Sequence, residues 1–174
     1  MSDVETVAEP ESVARTEVLA HPAQAHAAQA HPLLVQIVAR HGQWVSAENI
    51  AGWRAAQQGD NVLLFAGDPV RFPEALDVAV VLPELQKAAK ASGKPFSIAV
   101  AEPEGAEALA LTFGSNRWPT LMFFRDGQYV TTLSGMHDWS DYVSLLMQAL
   151  ETAPGRAPTV GIPVVSANGA SGCH

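Results

Sequence analysis

The chain has 174 residues, enough for one domain with a sizeable core, and 48% of them are hydrophobic. Its net charge of −8 at pH 7 argues against a nucleic-acid binder, which normally shows a basic stripe. The single cysteine, Cys173, excludes an internal disulfide, a cysteine-rich zinc site and a two-cysteine redox motif. No stretch nears the roughly 18 apolar residues of a membrane helix, and the acidic N-terminus has no secretory apolar core. We therefore expect a cytoplasmic protein with neither membrane nor nucleic acid as a partner.

Residues 1–32 predict a flexible acidic arm. Within the first 30 residues, five acids face one base and there are no aromatic residues, so little apolar surface is available to offset ordering entropy. His21, His26 and His31 could together hold a soft divalent metal. A spacing of five, however, places them on different faces of a helix, and no carboxylate or thiolate lies between them. We expect a polar arm, no metal site and no cofactor.

The domain predicted from the sequence covers residues 33–150. Residues 33–38 form an apolar run that predicts a buried strand. A helix follows, with Ser46 or Asn49 as its cap, and it is expected to run to about residue 58. Residues 62–66 are almost continuously apolar, which is typical of a strand buried on both faces of a sheet.

The middle of the chain predicts a long helix and a third strand. A loop of sequence Gly-Asp-Pro-Val-Arg-Phe-Pro follows the second strand, and residues 74–91 predict a helix with Pro83 inside it. Residues 96–101 predict the third strand. Residues 103–112 predict a short helix, since Pro suits its first turn and acids lie near its positive end.

The last part of the domain predicts a hairpin and a final helix. Pro119 precedes an apolar run at 120–124, which suits the first position of a strand. Asp126-Gly127 is a strong hairpin signal, and a second β-prone run follows it. Residues 139–150 predict the final helix. Residues 151–174 are rich in Gly, Pro, Ala and Ser and predict a flexible tail.

The predicted order, β-α-β-α-β-α-β-β-α, indicates an α/β fold with a mixed central sheet flanked by helices. The stretch around Pro119, with its Thr, its Phe pair, its Asp-Gly turn and the closing Gly135, resembles the C-terminal half of a thioredoxin fold. The resemblance implies that Pro119 is cis. In a thioredoxin the loop at residues 67–73 would carry the catalytic cysteine pair, and here it has no cysteine.

Three motifs narrow the resemblance further. Gly-Asp-Pro-Val-Arg-Phe-Pro-Glu begins at Gly67, Arg-Trp-Pro-Thr-Leu begins at Arg117, and Gly-Met-His-Asp-Trp begins at Gly135. Together they resemble the HyaE/HupG (HoxO-like) family of nickel–iron hydrogenase accessory proteins over residues 33–150. The resemblance implies a non-enzymatic cytoplasmic chaperone that binds a hydrogenase small-subunit precursor and its twin-arginine signal peptide before export. It also implies other hydrogenase accessory proteins as further candidate partners.

The residues themselves point to a peptide-binding site beside the cysteine-free loop. Loops at the carboxyl ends of strands are where α/β folds bind ligands, and a cis proline leaves the preceding backbone free to pair with an extended peptide. Three acids of the long helix fall within a sector of roughly 80° and could meet the basic end of a signal peptide. The candidate residues are Asp68, Arg71, Phe72, Glu74, Asp77, Glu84, Trp118, Pro119 and Thr120.

Structural roles are open for several of these residues. Glu74 and Asp77 could simply stabilise the helix N-terminus. Arg71 could pair locally with Asp68 or Glu74, which we favour over contact with a substrate. Phe72 and Trp118 could serve packing.

Other function classes also compete. His137 and Asp138 could be an acid–base pair, but no nucleophile accompanies them, so a helix-start role is expected. A thioredoxin-like oxidoreductase would have to use Cys173, which follows the last helix instead of lying at a helix N-terminus. A generic peptide-binding scaffold is the third class.

Overall fold

The structure is a computed structural model that describes residues 30–158. The arm predicted at 1–32 and the tail predicted at 151–174 fall mostly outside these residues, as do His21, His26, Cys173 and His174. The elements in chain order are α1 Pro32–His41, β1 Trp44–Val45, α2 Ile50–Ala56, β2 Asp60–Phe65, α3 Glu74–Ala91, β3 Phe96–Ala101, α4 Ala106–Thr112, β4 Thr120–Arg125, β5 Gln128–Ser134 and α5 Trp139–Glu151.

Five strands form one mixed sheet in the order β1-β3-β2-β4-β5. The first three of these run parallel, whereas β4 is antiparallel to β2 and β5 is antiparallel to β4. Helices α1, α3 and α5 cover one face, and α2 and α4 cover the other. The predicted α/β, thioredoxin-like architecture with a mixed central sheet is confirmed.

Strand β2 is the centre of the sheet. It pairs with β3 on one edge and β4 on the other, so its backbone groups are satisfied on both sides. Its side chains from Val62 to Phe65 have no exposed surface, and they alternate between the two cores. The prediction of a strand buried on both faces is confirmed.

Residues 33–38 form the middle of helix α1, so the prediction of a strand there is wrong. Pro32 occupies the first turn, and His31 caps the helix by accepting the Leu33 N–H at Nδ1, 3.3 Å away. Leu34 and Ile37 are buried three residues apart, while the polar Gln36 faces solvent. The apolar run has a helical period that its short length concealed, and the first strand is instead the two-residue β1.

The remaining elements lie close to their predicted positions. Helix α3 spans the predicted residues and contains Pro83, and β3 also has its predicted bounds. The hairpin turns at Asp126-Gly127, where both residues have positive φ. Helix α4 begins at Ala106, later than predicted, because Gly105 before it has a left-handed φ of 76°.

Arg125 fastens the end of the last helix to the sheet. Its Nε donates to Asp60 Oδ1 at 2.7 Å, Nη1 donates to the Thr152 carbonyl at 3.0 Å, and Nη2 donates to the Leu150 carbonyl. These carbonyls belong to the C-terminal turn of α5, where a cation is favourable. One side chain therefore links β4, β2 and α5.

We predict that Arg125→Ala lowers the free energy of unfolding by about 2 kcal/mol, since it removes a partly buried ion pair and two charge-assisted hydrogen bonds. The measurement is urea denaturation followed by circular dichroism. Lys94→Ala is the matched control, because Lys94 bonds Glu151 of the same helix at 2.6 Å but at an exposed position. An equal loss in the two variants would contradict the role given to Arg125.

Candidate functional site

The site lies at the edge of the sheet where β2 ends and β4 begins. The β2–β4 register pairs Phe65 with Thr120, which brings the loop after Phe65 beside the residues before Thr120. Two adjoining hollows of about 260 Å³ and about 430 Å³ open there. We call them together the Trp118 cleft. Both hollows are lined by Arg71, Phe72, Glu107 and Trp118.

The wall between the hollows is aromatic. The Trp118 ring lies 6.2 Å from that of Phe65, measured between centroids, so the cleft wall rests on the core through Phe65. Gly67 has a φ of +74°, and a β-carbon placed on it would lie 3.1 Å from Trp118 Cγ and 3.2 Å from Phe72 Cδ2. Glycine is therefore needed at position 67 both for its backbone conformation and for the close approach of two aromatic side chains.

The cysteine-free loop is held by Asp68. Its Oδ1 accepts the Val70 N–H at 2.9 Å, and its carbonyl accepts the Phe72 N–H at 2.8 Å. These bonds form an Asx-type turn that closes just before helix α3. The turn leaves Val70 91% exposed, between the lining residues Pro69 and Arg71.

Arg71 stacks on its neighbour instead of pairing with an acid. Its guanidinium carbon lies 5.4 Å from the Phe72 ring centroid, a cation–π arrangement. Within residues 30–158 it forms no ion pair with Asp68 or Glu74, the two acids proposed as local partners. Its charge therefore faces the cleft opening that it lines.

The Trp118–Pro119 peptide bond is cis, as the resemblance implied. The Pro119 carbonyl accepts the Gly135 N–H at 2.8 Å, which ties the cleft to the end of β5. Thr120 is fully buried, and its hydroxyl donates to the Arg117 carbonyl at 2.7 Å and meets Ser134 Oγ at 2.8 Å. In the described part of the chain, no hydrogen bond engages the Trp118 N–H or carbonyl.

The predicted acids divide into two groups. Asp68 lines the smaller hollow. Glu74 and Asp77 lie in the first turn of α3, which starts directly after the loop. Glu84 lies ten residues beyond Glu74, about 15 Å along the helix, and bonds Lys87 at 2.7 Å.

The cleft gathers further residues that sequence reasoning missed. His31 and Leu34 reach the smaller hollow from the start of α1. The sequence did not place them here, because His31 belongs to the predicted arm and Leu34 to the run predicted as a strand. Glu107 comes from α4 and Arg117 from the approach to β4, so the cleft combines acidic and basic side chains. Arg117 did lie inside one of the three motifs.

Gly135 lines the larger hollow, and the segment that leads from it to Trp139 is anchored to α5 and β5. Burial raises the pKa of Tyr142 to about 12, and its hydroxyl donates to the Gly135 carbonyl at 2.7 Å. The His137 ring stacks edge-on against Tyr142, and its Nε2 lies 3.1 Å from the Ser134 carbonyl. This places His137 in a structural contact. Met136 and Trp139 stay about half exposed.

Between residues 30 and 158, no helix combines the length and apolar character that crossing a membrane requires. In the same part of the chain, no three His, Cys, Asp or Glu side chains converge to hold a metal ion.

The chain is similar to a set of related proteins. The family model described as "Hydrogenase-1 expression protein HyaE" matches residues 33–142. The hydrogenase expression/formation protein HoxO of Cupriavidus necator is 46% identical over 144 residues, which cover 82% of this chain and 88% of the relative. HoxO of Azotobacter vinelandii is 36% identical, with coverages of 78% and 88%. A solved structure of HupG from Rhodopseudomonas palustris is 31% identical, covers 62% of this chain and 94% of its own, and has a TM-score of 0.42.

We predict that Gly67→Ala lowers the free energy of unfolding by about 1–2 kcal/mol, since a β-carbon there is strained and crowds Trp118 and Phe72. Chemical denaturation measures the loss. Gly52→Ala is the matched control: Gly52 lies exposed within α2 with open space around it, so its substitution should stabilise by about 0.5–1 kcal/mol. If both substitutions destabilised the protein equally, the specific need for glycine at position 67 would be contradicted.

Proposed function

Because the chain belongs to the HyaE family of hydrogenase expression proteins, we propose that it binds the small-subunit precursor of a membrane-bound nickel–iron hydrogenase in the cytoplasm. The role of a hydrogenase expression/formation accessory protein follows from the family match and from the relatives named HoxO and HupG. The proposal adds the bound species, which is the precursor's twin-arginine signal peptide, and the timing, which is before export.

The observation that carries this proposal is the open backbone at Trp118. Its N–H and carbonyl find no partner within residues 30–158, and Trp118 lines both hollows of the cleft. An extended peptide can satisfy such groups by strand addition, while its side chains enter the hollows on either side. In strand addition the affinity comes from main-chain hydrogen bonds, which suits a partner that is recognised as an unfolded segment.

The surroundings supply apolar contacts for the middle of such a peptide. Phe72 and Trp118 line both hollows. Val70, Met136 and Trp139 are exposed apolar side chains close in sequence to the lining residues Arg71 and Gly135. A signal peptide has an apolar middle, and we propose that these side chains contact it.

The acids at the start of α3 would bind the basic end of the signal peptide. Glu74 and Asp77 directly follow the loop, and Glu84 extends the same helix. Guanidinium groups bind carboxylates through paired hydrogen bonds. Arg71 and Arg117 also border the cleft and would repel a cation placed there. We therefore assign the twin arginines of the signal peptide to the acids of α3.

In the proposed role the protein holds the precursor and catalyses no reaction. The loop in the position of a thioredoxin's cysteine pair has the sequence Gly-Asp-Pro-Val-Arg-Phe-Pro and no thiol. The proposal is therefore a redox-inactive chaperone that uses the peptide-handling half of the fold.

The first test compares the small-subunit precursor with and without its signal peptide. We predict that deletion of the peptide weakens binding at least about 100-fold, since the peptide supplies the segment that the cleft anchors. Isothermal titration calorimetry against the purified protein measures this. Equal affinity for both forms would refute recognition through the signal peptide while leaving the family role intact.

The second test addresses the acids. We predict that changing Glu74, Asp77 and Glu84 together to Gln weakens precursor binding about tenfold at low salt and flattens its salt dependence. Single substitutions then rank the three sites. Glu48→Gln, at an exposed position preceding α2 and away from the cleft, is the matched single-charge control. If the triple variant kept both its affinity for the precursor and the salt dependence of that affinity, the three acids would have no part in binding.

A further inference from the structure

Three hydroxyl groups and one backbone carbonyl meet beneath the Trp118 cleft. Thr120 Oγ1 lies 2.7 Å from the Arg117 carbonyl oxygen. The same atom lies 2.8 Å from Ser134 Oγ and 3.3 Å from Ser115 Oγ. Thr120 has no exposed surface and Ser115 is buried, whereas Ser134 lines the larger hollow. This group, which we call the Thr120 cluster, therefore extends from the wall of the cleft into the interior of the protein.

The direction of each hydrogen bond in the Thr120 cluster follows from its chemistry. A carbonyl oxygen can only accept, so Thr120 donates its single hydroxyl proton to Arg117. Ser134 and Ser115 must then donate to the two lone pairs of Thr120 Oγ1. The Thr120 hydroxyl, which the sequence placed among the peptide-binding residues, is thus fully engaged within the protein and has no hydrogen bond left to offer a ligand.

The bond to Arg117 fixes the orientation of the Trp118 N–H. The Arg117 carbonyl and the Trp118 N–H belong to one trans peptide plane, in which the two groups point in opposite directions. Because the carbonyl points at the buried Thr120 hydroxyl, the N–H points away from it. On the other side of Trp118, the Gly135 N–H holds the Pro119 carbonyl at 2.8 Å. The Trp118 backbone, which has no partner of its own in the described chain, is thus held on both sides.

We propose that Thr120 is a positioning residue for peptide binding, which acts through the Arg117 carbonyl and does not touch the peptide. It holds the Trp118 N–H in the orientation from which it donates to a carbonyl group of the bound chain. A donor that is fixed before binding loses little conformational freedom when the complex forms, and this raises the affinity. The inference rests on the function proposed for the Trp118 cleft, and it adds a hydroxyl group that contributes to binding from beneath the cleft.

Two full-length variants separate the hydroxyl of Thr120 from the bulk of its side chain. Thr120→Val keeps the shape but cannot bond the Arg117 carbonyl, whereas Thr120→Ser keeps the hydroxyl and loses a methyl group. In isothermal titration calorimetry with the small-subunit precursor, we expect Thr120→Val to weaken binding about tenfold and Thr120→Ser to stay within about twofold of the unsubstituted protein. Thr112→Val is the matched control, since Thr112 donates to the Leu109 carbonyl at 2.6 Å and does not line the cleft. Equal affinities of Thr120→Val and Thr120→Ser would overturn the proposal.

A second measurement uses the protein without its partner. NMR relaxation of the Trp118 amide nitrogen reports how firmly its N–H is held on the picosecond-to-nanosecond timescale. We expect its order parameter to match those of the β4 amides in the unsubstituted protein and in Thr120→Ser, and to fall in Thr120→Val. An unchanged order parameter in Thr120→Val would overturn the proposal. If the unsubstituted protein failed to bind the precursor, the proposed function would be refuted, and the amide measurement would still decide whether Thr120 positions Trp118.

Discussion

The register between β2 and β4 is the constraint on which the site depends. By pairing Phe65 with Thr120, it sets the loop that leaves the central strand against the residues that enter its antiparallel neighbour. β2 cannot slip by one residue without moving its whole apolar set to the opposite face, and both faces are buried. The position of Gly67 beside Trp118 is thus held by the core of the whole domain.

The same arrangement explains how a fold associated with thiol chemistry can serve for binding. The loop at residues 67–73 has no reactive thiol, while the cis Trp118–Pro119 bond expected of the fold is present beside it. Phe72 occupies the space beside Gly67 and, together with Trp118, makes the wall of the cleft aromatic. This edge of the sheet has a Trp118 backbone without hydrogen-bond partners in the described chain, an aromatic wall and charges of both signs. The extended partner proposed above rests on these features.

Much of the fold was predictable because local signals agreed with the tertiary structure. The long helix α3, strand β3 and the Asp-Gly hairpin each had a clear period or turn signal, and each was found at or near its predicted bounds. The α1 helix was not predictable in the same way. Its short apolar run suits a strand or a helix equally. The residues that favour a helix, His31 as its cap and Pro32 in its first turn, belong to the segment predicted as the arm.

By itself, the sequence determined most of the elements after the first helix, the buried central strand and the motifs that placed the chain in its family, because these are written in neighbouring residues. It also determined that the loop at residues 67–73 has no thiol. Only the tertiary structure decided which side chains share the cleft: it brought His31, Glu107 and Arg117 beside Trp118, buried the hydroxyl of Thr120, and separated Glu84 from the loop. The reason is physical, since proximity between distant segments comes from strand register and helix packing, which no local pattern encodes.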